Sequence, residues 1–129
     1  AIEVAAKENA AIKYEESRNG KYTELTSEGQ ILATMAQSMF MKESESLAAL
    51  IQNELAKNLS SSNRGVKQAG FHVLIGASMP NVLIEVGFLT NLNEEKKLRT
   101  SKYRQEIAAG VYRAIIEFKK NREFVMAEG

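Results

Sequence analysis

The stretch that decides the fold is Met79-Pro80-Asn81-Val82-Leu83-Ile84-Glu85-Val86-Gly87-Phe88-Leu89-Thr90-Asn91. A proline at its start, an apolar run of strand length and an exit with glycine and asparagine predict a buried strand that leads into a loop. Just upstream, residues 70–75 are rich in aromatic and β-branched side chains and predict a second strand. Because helical patterns surround these few strands, the sequence predicts an α/β fold.

One carboxylate, Glu85, lies inside the apolar run. Burial of an unpaired charge is costly, so such a group is usually paired, protonated or bound to a cation, and it can serve as a proton carrier. A second interpretation follows from the alternation of side chains along a strand, which puts Val82, Ile84 and Val86 on one face and Leu83 with Glu85 on the other. Glu85 would then face water on a half-exposed strand. The residues alone leave both interpretations open.

The rest of the chain predicts helices. The segment from Ile2 to Ser17 is rich in good helix formers, and a turn signal follows at residues 18–21. Thr26 or Ser27 is expected to cap a helix that runs to about residue 55, with a kink at the polar residues 42–46 unless the helix protrudes.

The apolar residues of this long helix include Met35, Met39 and Met41, which we interpret as flexible fillers of the core rather than as an adaptable binding groove. Asn93 is expected to cap a short helix, in which the charges of residues 94–97 are solvated. Ser101 is expected to open the last helix. Its predicted buried stripe is Tyr103, Ile107, Val111, Ala114, Ile115 and Phe118.

Composition narrows the function classes. The 129 residues suit one domain, and a net charge of +1 gives no reason to expect a nucleic-acid partner. With no cysteine, the chain has no disulfide framework and no thiol chemistry. It holds a single histidine, His72, which is too few for a catalytic zinc site, so we expect this residue to pack on a strand. No signal peptide or transmembrane run is apparent.

The segment "MPNVLIEVGFLTN", followed by "NEEKKLRTSKYRQEIAAGVYRAIIEF", resembles the last part of the zinc-dependent N-acetylmuramoyl-L-alanine amidases. That family ends in a proline, an apolar strand carrying a glutamate, Gly-Phe, an asparagine and two helices. The upstream "RGVKQAGFHVL" at residues 64–74 is similar to the preceding family segment, and Glu8-Asn9 looks like the family's "EN" helix. Ile75 is a departure, because many relatives carry an arginine there.

The resemblance implies a hydrolase that cuts the amide between N-acetylmuramic acid and L-alanine of the peptidoglycan stem peptide. In the family, two histidines and one glutamate hold zinc, and a further glutamate acts as general base and acid on the metal-bound water. Only that last residue has a match, at Glu85. The resemblance thus implies that zinc belongs to a complete domain and that this chain alone holds none.

In fold, the resemblance implies a twisted central sheet flanked by helices, of which this chain supplies about two strands and most of the C-terminal helices. Residues 1–129 are then the C-terminal part of one catalytic domain, without the histidine-bearing part. The chain alone is expected to be poorly stable and inactive. The expected partners are peptidoglycan, the rest of the same domain or an activator protein, and the expected location is the periplasm or the cell wall. The alternatives are a non-catalytic amidase-like module that binds cell-wall material or protein, and an unrelated interaction protein.

Overall fold

The computed structural model describes residues 2–19, 26–59 and 63–128. These described residues divide into two compact units, the first within residues 1–43 and 67–81 and the second within residues 44–66 and 82–129. The helices of the described part are α1 (Ile2–Asn19), α2 (Ser27–Met39), α3 (Met41–Asn58), a 3-10 turn (His72–Leu74), α4 (Leu92–Arg99) and α5 (Ser101–Glu128). Within the described part of the chain, no helix has both the length and the apolarity needed to cross a bilayer.

The predicted sheet is wrong for the residues that the structure describes, which contain no strand. The first predicted strand is interrupted by the 3-10 turn, and Val82 to Gly87 make no backbone–backbone hydrogen bond with any described residue. A strand requires a neighbouring backbone to complete its ladder of hydrogen bonds, whatever its side chains favour. The apolar pattern of this segment predicts a strand, and the strand is absent because the described residues supply no partner segment.

The helices agree better with the sequence. The first helix is confirmed and extends to Asn19, so residues 18 and 19 are helical, and the rest of the turn predicted at 18–21 falls outside the described residues. The oxygen of Thr26 caps α2 by accepting the Gly29 N–H at 3.2 Å. The long predicted helix is two helices, which are separated at Phe40 rather than in the polar stretch 42–46.

In the second unit, α3 approaches α5 at Leu55 and Gly110 and is bonded to it through Glu54 and Arg113. Ile51 of α3 and Ile107 and Ala114 of α5 are buried, as two members of the stripe predicted for α5 should be. Gly110 allows the close approach, because a Cβ there would lie 2.9 Å from the Cδ2 of Leu55. Sequence reasoning did not anticipate this role of the glycine.

Two expectations about apolar residues are wrong. Ile115, predicted to belong to the buried stripe of α5, is 47% exposed. Met35 and Met39 of α2 are 61% and 78% exposed, so they do not fill a core within the described residues. Periodicity identifies an apolar face, but burial also requires a second surface that packs against it.

In the first unit, one side chain connects α1 to the 3-10 turn. The amide oxygen of Asn9 accepts the backbone N–H of His72 at 2.8 Å, and its amide nitrogen donates to the carbonyl of Gly70, also at 2.8 Å. Ala5, one turn earlier on α1, is the buried apolar residue of this unit within the described residues.

Candidate functional site

Glu85 lies in the second unit, in the segment without regular secondary structure between residues 82 and 88. Val82 and Ile84 are half-buried, whereas Leu83 and Glu85 are exposed. The alternation expected of an extended chain with one covered face holds from Val82 to Glu85 and fails at Val86, which is 39% exposed. The Glu85 carboxylate therefore faces solvent, as in the second of the two interpretations of the sequence, and water has direct access to it.

The backbone just after Glu85 requires glycine. Gly87 has φ +150°, a conformation that other residues rarely adopt. A Cβ at this position would lie 3.1 Å from the Oε2 of Glu94 and 3.4 Å from the Cδ1 of Leu98, both on α4. The missing side chain thus lets the chain pass close to α4.

The next residue is bound directly by the same carboxylate. The Phe88 N–H donates to the Oε2 of Glu94 at 2.6 Å, and the guanidinium of Arg64 donates to its Oε1 at 2.8 Å. The Arg64 guanidinium also lies over the Phe88 ring, 4.4 Å from its centre, at cation–π distance. We call Arg64, Phe88 and Glu94 the Glu94 clamp. It fixes the backbone three residues after Glu85.

Hydrogen bonds stabilise the charged form of the Glu94 carboxylate in the clamp. The hydrogen bond from the Phe88 backbone, followed by that from Arg64, lowers the pKa of Glu94 below its usual value. Glu94 is only 18% exposed, so the prediction that the charges of residues 94–97 are solvated is wrong for this residue.

The start of α4 places Glu94 in reach of this backbone. Asn91, not Asn93 as predicted, caps the helix, and its side-chain oxygen accepts the N–H groups of Asn93 at 3.0 Å and Glu94 at 3.3 Å. A glutamate three residues after the cap is the position from which a carboxylate reaches back to the preceding chain. This spacing is the sequence signal that could have identified Glu94.

The described residues do not form a zinc site. They contain no group of three His, Cys, Asp or Glu side chains that could hold a metal ion. His72, predicted to pack on a strand, is instead exposed at the start of the 3-10 turn and belongs to the first unit, whereas Glu85 belongs to the second. Since the whole sequence has one histidine and no cysteine, its donor set does not fit the zinc that the resemblance implies.

A second ionic cluster joins α3 to α5. Glu54 of α3, which is 8% exposed, accepts from Arg113 at 2.8 Å and from Lys57 at 2.5 Å. Hydrogen bonds from Arg113, then Lys57, lower the pKa of Glu54, and Glu54 in turn raises the pKa of Lys57. Every acceptor oxygen here has a cation, so we assign this cluster to helix packing.

Comparison with known families identifies the class of protein. Residues 12–117 match the model of the N-acetylmuramoyl-L-alanine amidase family. The chain belongs to this family. The matched range includes Glu85 and all three residues of the Glu94 clamp.

Individual relatives agree with this assignment. The chain is 37% identical over 75 residues to the N-acetylmuramoyl-L-alanine amidase LytC of Bacillus subtilis, a match that covers 58% of this chain and 15% of that protein. It is 35% identical over 81 residues to the amidase AmiC of Escherichia coli O6:H1, covering 63% and 19%, respectively. The germination-specific amidase of Bacillus subtilis is 36% identical over 77 residues, covering 59% and 32%.

The chain therefore spans about a third or less of the length of these three relatives. No solved structure matches it.

Proposed function

We propose that this chain works as part of a peptidoglycan hydrolase that cleaves the amide between N-acetylmuramic acid and L-alanine of the stem peptide. The observation that supports this most is the family match over residues 12–117, which includes the Glu85 segment. The amidase names of the relatives support the same reaction.

In this proposal Glu85 transfers a proton during hydrolysis. Its exposed carboxylate takes a proton from the attacking water as the oxygen–carbon bond forms. The proton then passes to the nitrogen of L-alanine as the carbon–nitrogen bond breaks, so that the leaving group departs as an amine. A carboxylate accessible to water and held on a fixed backbone is suited to both transfers.

We propose zinc only as a cofactor of a complete domain. The donor set of this chain does not fit the ion, so its ligands would come from other residues than those present here. We therefore expect the purified 129-residue polypeptide to be inactive and to hold far less than one zinc per chain in elemental analysis. One tightly held zinc per chain, resistant to dialysis, would contradict this expectation.

The substitution E85Q in the complete gene product tests the role of Glu85. Glutamine keeps the size of the side chain but does not accept the proton, so kcat should fall about 100- to 10,000-fold while the thermal unfolding temperature stays unchanged. The matched control is E45Q, which changes an exposed carboxylate on α3. Equal turnover of the two variants would rule out Glu85 as the proton carrier.

The position of the substrate determines where the protein would act. Peptidoglycan lies outside the cytoplasmic membrane, so we propose a periplasmic or cell-wall location. Partners would include peptidoglycan and either the remainder of the same domain or an activator protein.

The poor donor set for a metal favours one alternative, a non-catalytic amidase-like module that binds cell-wall material or protein. Binding of the complete gene product to purified peptidoglycan without release of peptides would support that alternative.

A further inference from the structure

The proposed reaction uses Glu85 but gives no role to Glu94, whose carboxylate binds the backbone just after it. Glu94 is half-buried, with 18% of its side chain exposed, and both of its oxygens accept hydrogen bonds. Its Oε2 accepts the backbone N–H of Phe88 at 2.6 Å, and its Oε1 accepts from Arg64 at 2.8 Å. A carboxylate that binds a backbone N–H makes a charge-assisted hydrogen bond, which is shorter and stronger than one between neutral groups.

These contacts act on the chain that carries Glu85. Residues 82–87 have no backbone–backbone hydrogen bond to the rest of the described chain, so within these residues their path depends on other contacts. Instead, Gly87 passes against the Glu94 carboxylate and the Phe88 N–H is bound by it. The direction in which the backbone leaves Glu85 is thus set from α4.

We propose that Glu94 is a positioning residue for Glu85, with Arg64 as the cation that holds the Glu94 carboxylate in place. This inference rests on the proposed function, because it assumes that Glu85 carries the proton. Glu94 itself has no role at the reacting atoms. It keeps the Glu85 carboxylate where the water and the scissile amide can meet it, a requirement so strict that a displacement of about 1 Å can cost about 100-fold in rate.

Arg64 has two contacts in this arrangement. It donates to Glu94 at 2.8 Å and lies over the ring of Phe88, so it contacts both other members of the clamp. Lysine at this position would keep the charge but lose the planar group that spans both partners. The R64K variant should therefore weaken the clamp without removing its cation.

The test uses the complete gene product and three variants on one helix. E94A removes both contacts, and kcat should fall about 100-fold while KM changes less than about twofold. E94Q keeps an oxygen that can accept the Phe88 N–H but loses the charge, so it should restore part of the rate. E95Q is the matched control, since Glu95 pairs with Arg99 and not with the Glu85 segment, and it should be unchanged.

Amide hydrogen exchange separates positioning from general loss of structure. In E94A the Phe88 amide should exchange faster, whereas the amides of the buried Ile107 and Ala114 should keep their protection. Faster exchange at all three sites together with the loss of rate would mean that Glu94 only stabilises the fold, which would overturn the proposal. If E94A does not fold, E94Q and R64K are judged by the same two criteria.

Comparison of E85Q with E94A distinguishes the positioning role of Glu94 from the proton-transfer role of Glu85. An inactive E85Q together with an E94A as fast as E95Q would overturn the positioning role and leave the amidase proposal intact. A fully active E85Q would overturn the amidase role of Glu85 and, with it, this inference.

Discussion

The two segments predicted to be strands each have backbone groups bonded by a side chain from a helix, but by different chemistry. In the first unit, the neutral amide of Asn9 on α1 bonds to residues 70 and 72. In the second unit, the charged carboxylate of Glu94 on α4 bonds to Phe88 and is itself held by Arg64. Both helices thus replace part of the hydrogen bonding that a neighbouring strand would supply.

The difference lies in what each anchor requires. An amide has both an accepting oxygen and a donating NH2 group, so Asn9 satisfies two backbone groups without a counterion. A carboxylate only accepts, so Glu94 binds one backbone N–H strongly and needs a cation for its other oxygen. The anchor next to the proposed proton carrier is therefore the stronger and the more sensitive to charge.

The largest effect should come from the core that supports the second unit. Ile51 on α3 is 4% exposed, and I51A should lower the free energy of unfolding by about 2–5 kcal/mol, since it removes buried methylene groups and leaves a cavity. I115A removes the same atoms from a side chain that is 47% exposed and should cost much less. Urea unfolding of the two variants measures the difference, and equal losses would show that α3 does not pack as described.

Removal of the neutral anchor should have the next largest effect. N9A loses both hydrogen bonds of the Asn9 amide and should destabilise the first unit by about 1–2 kcal/mol, with faster exchange of the His72 amide. N121A, which changes an exposed asparagine on α5, is the control and should have no effect. Unchanged exchange at His72 in N9A would mean that the amide does not hold this segment.

A smaller effect is expected where α5 approaches α3. In G110A the new methyl group would meet the end of the Leu55 side chain at 2.9 Å. Crowding costs about 1–3 kcal/mol and the better helix propensity of alanine returns about 1 kcal/mol, so the net loss should be about 1 kcal/mol. Combination with L55V should cost less than the sum of the two single changes. Strict additivity would contradict the contact.

The smallest effect should be a dependence of the charged anchor on pH. The folded pKa of Glu94 is lowered, so its contribution is present above the unfolded value of about 4.5 and is lost as the pH falls through the lower folded value. Protection of the Phe88 amide should therefore decline in acid, whereas that of His72 on the neutral Asn9 should not. E94Q should remove this dependence. A parallel decline at both amides would refute the contrast between the anchors.

The sequence predicted helices well because their signals are local. Thr26 caps α2 and Ser101 begins α5 as expected, because a cap and a periodic apolar face are formed by residues that are close together in the sequence. The break at Phe40 lies just before the polar residues that suggested it.

Local sequence signals could not predict the absence of the sheet or the presence of the Glu94 clamp, because both depend on residues that are distant in the sequence. An extended segment becomes a strand only beside another backbone, and the described chain offers none to Val82–Gly87. A run of charges such as residues 94–97 predicts a solvated face, and a cap at Asn93 does not put Glu94 three residues after the cap, the position that Asn91 gives it in the structure. Its pairing with Arg64, thirty residues away in the sequence, has no local signal.

The most direct test of the central claim is mass spectrometry of the products that the complete gene product releases from purified peptidoglycan. The account predicts stem peptides with a free L-alanine amino group and glycan strands whose muramic acid carries a free lactyl carboxylate. Peptides still joined to muramic acid, or glycan fragments cut between sugars, would contradict it.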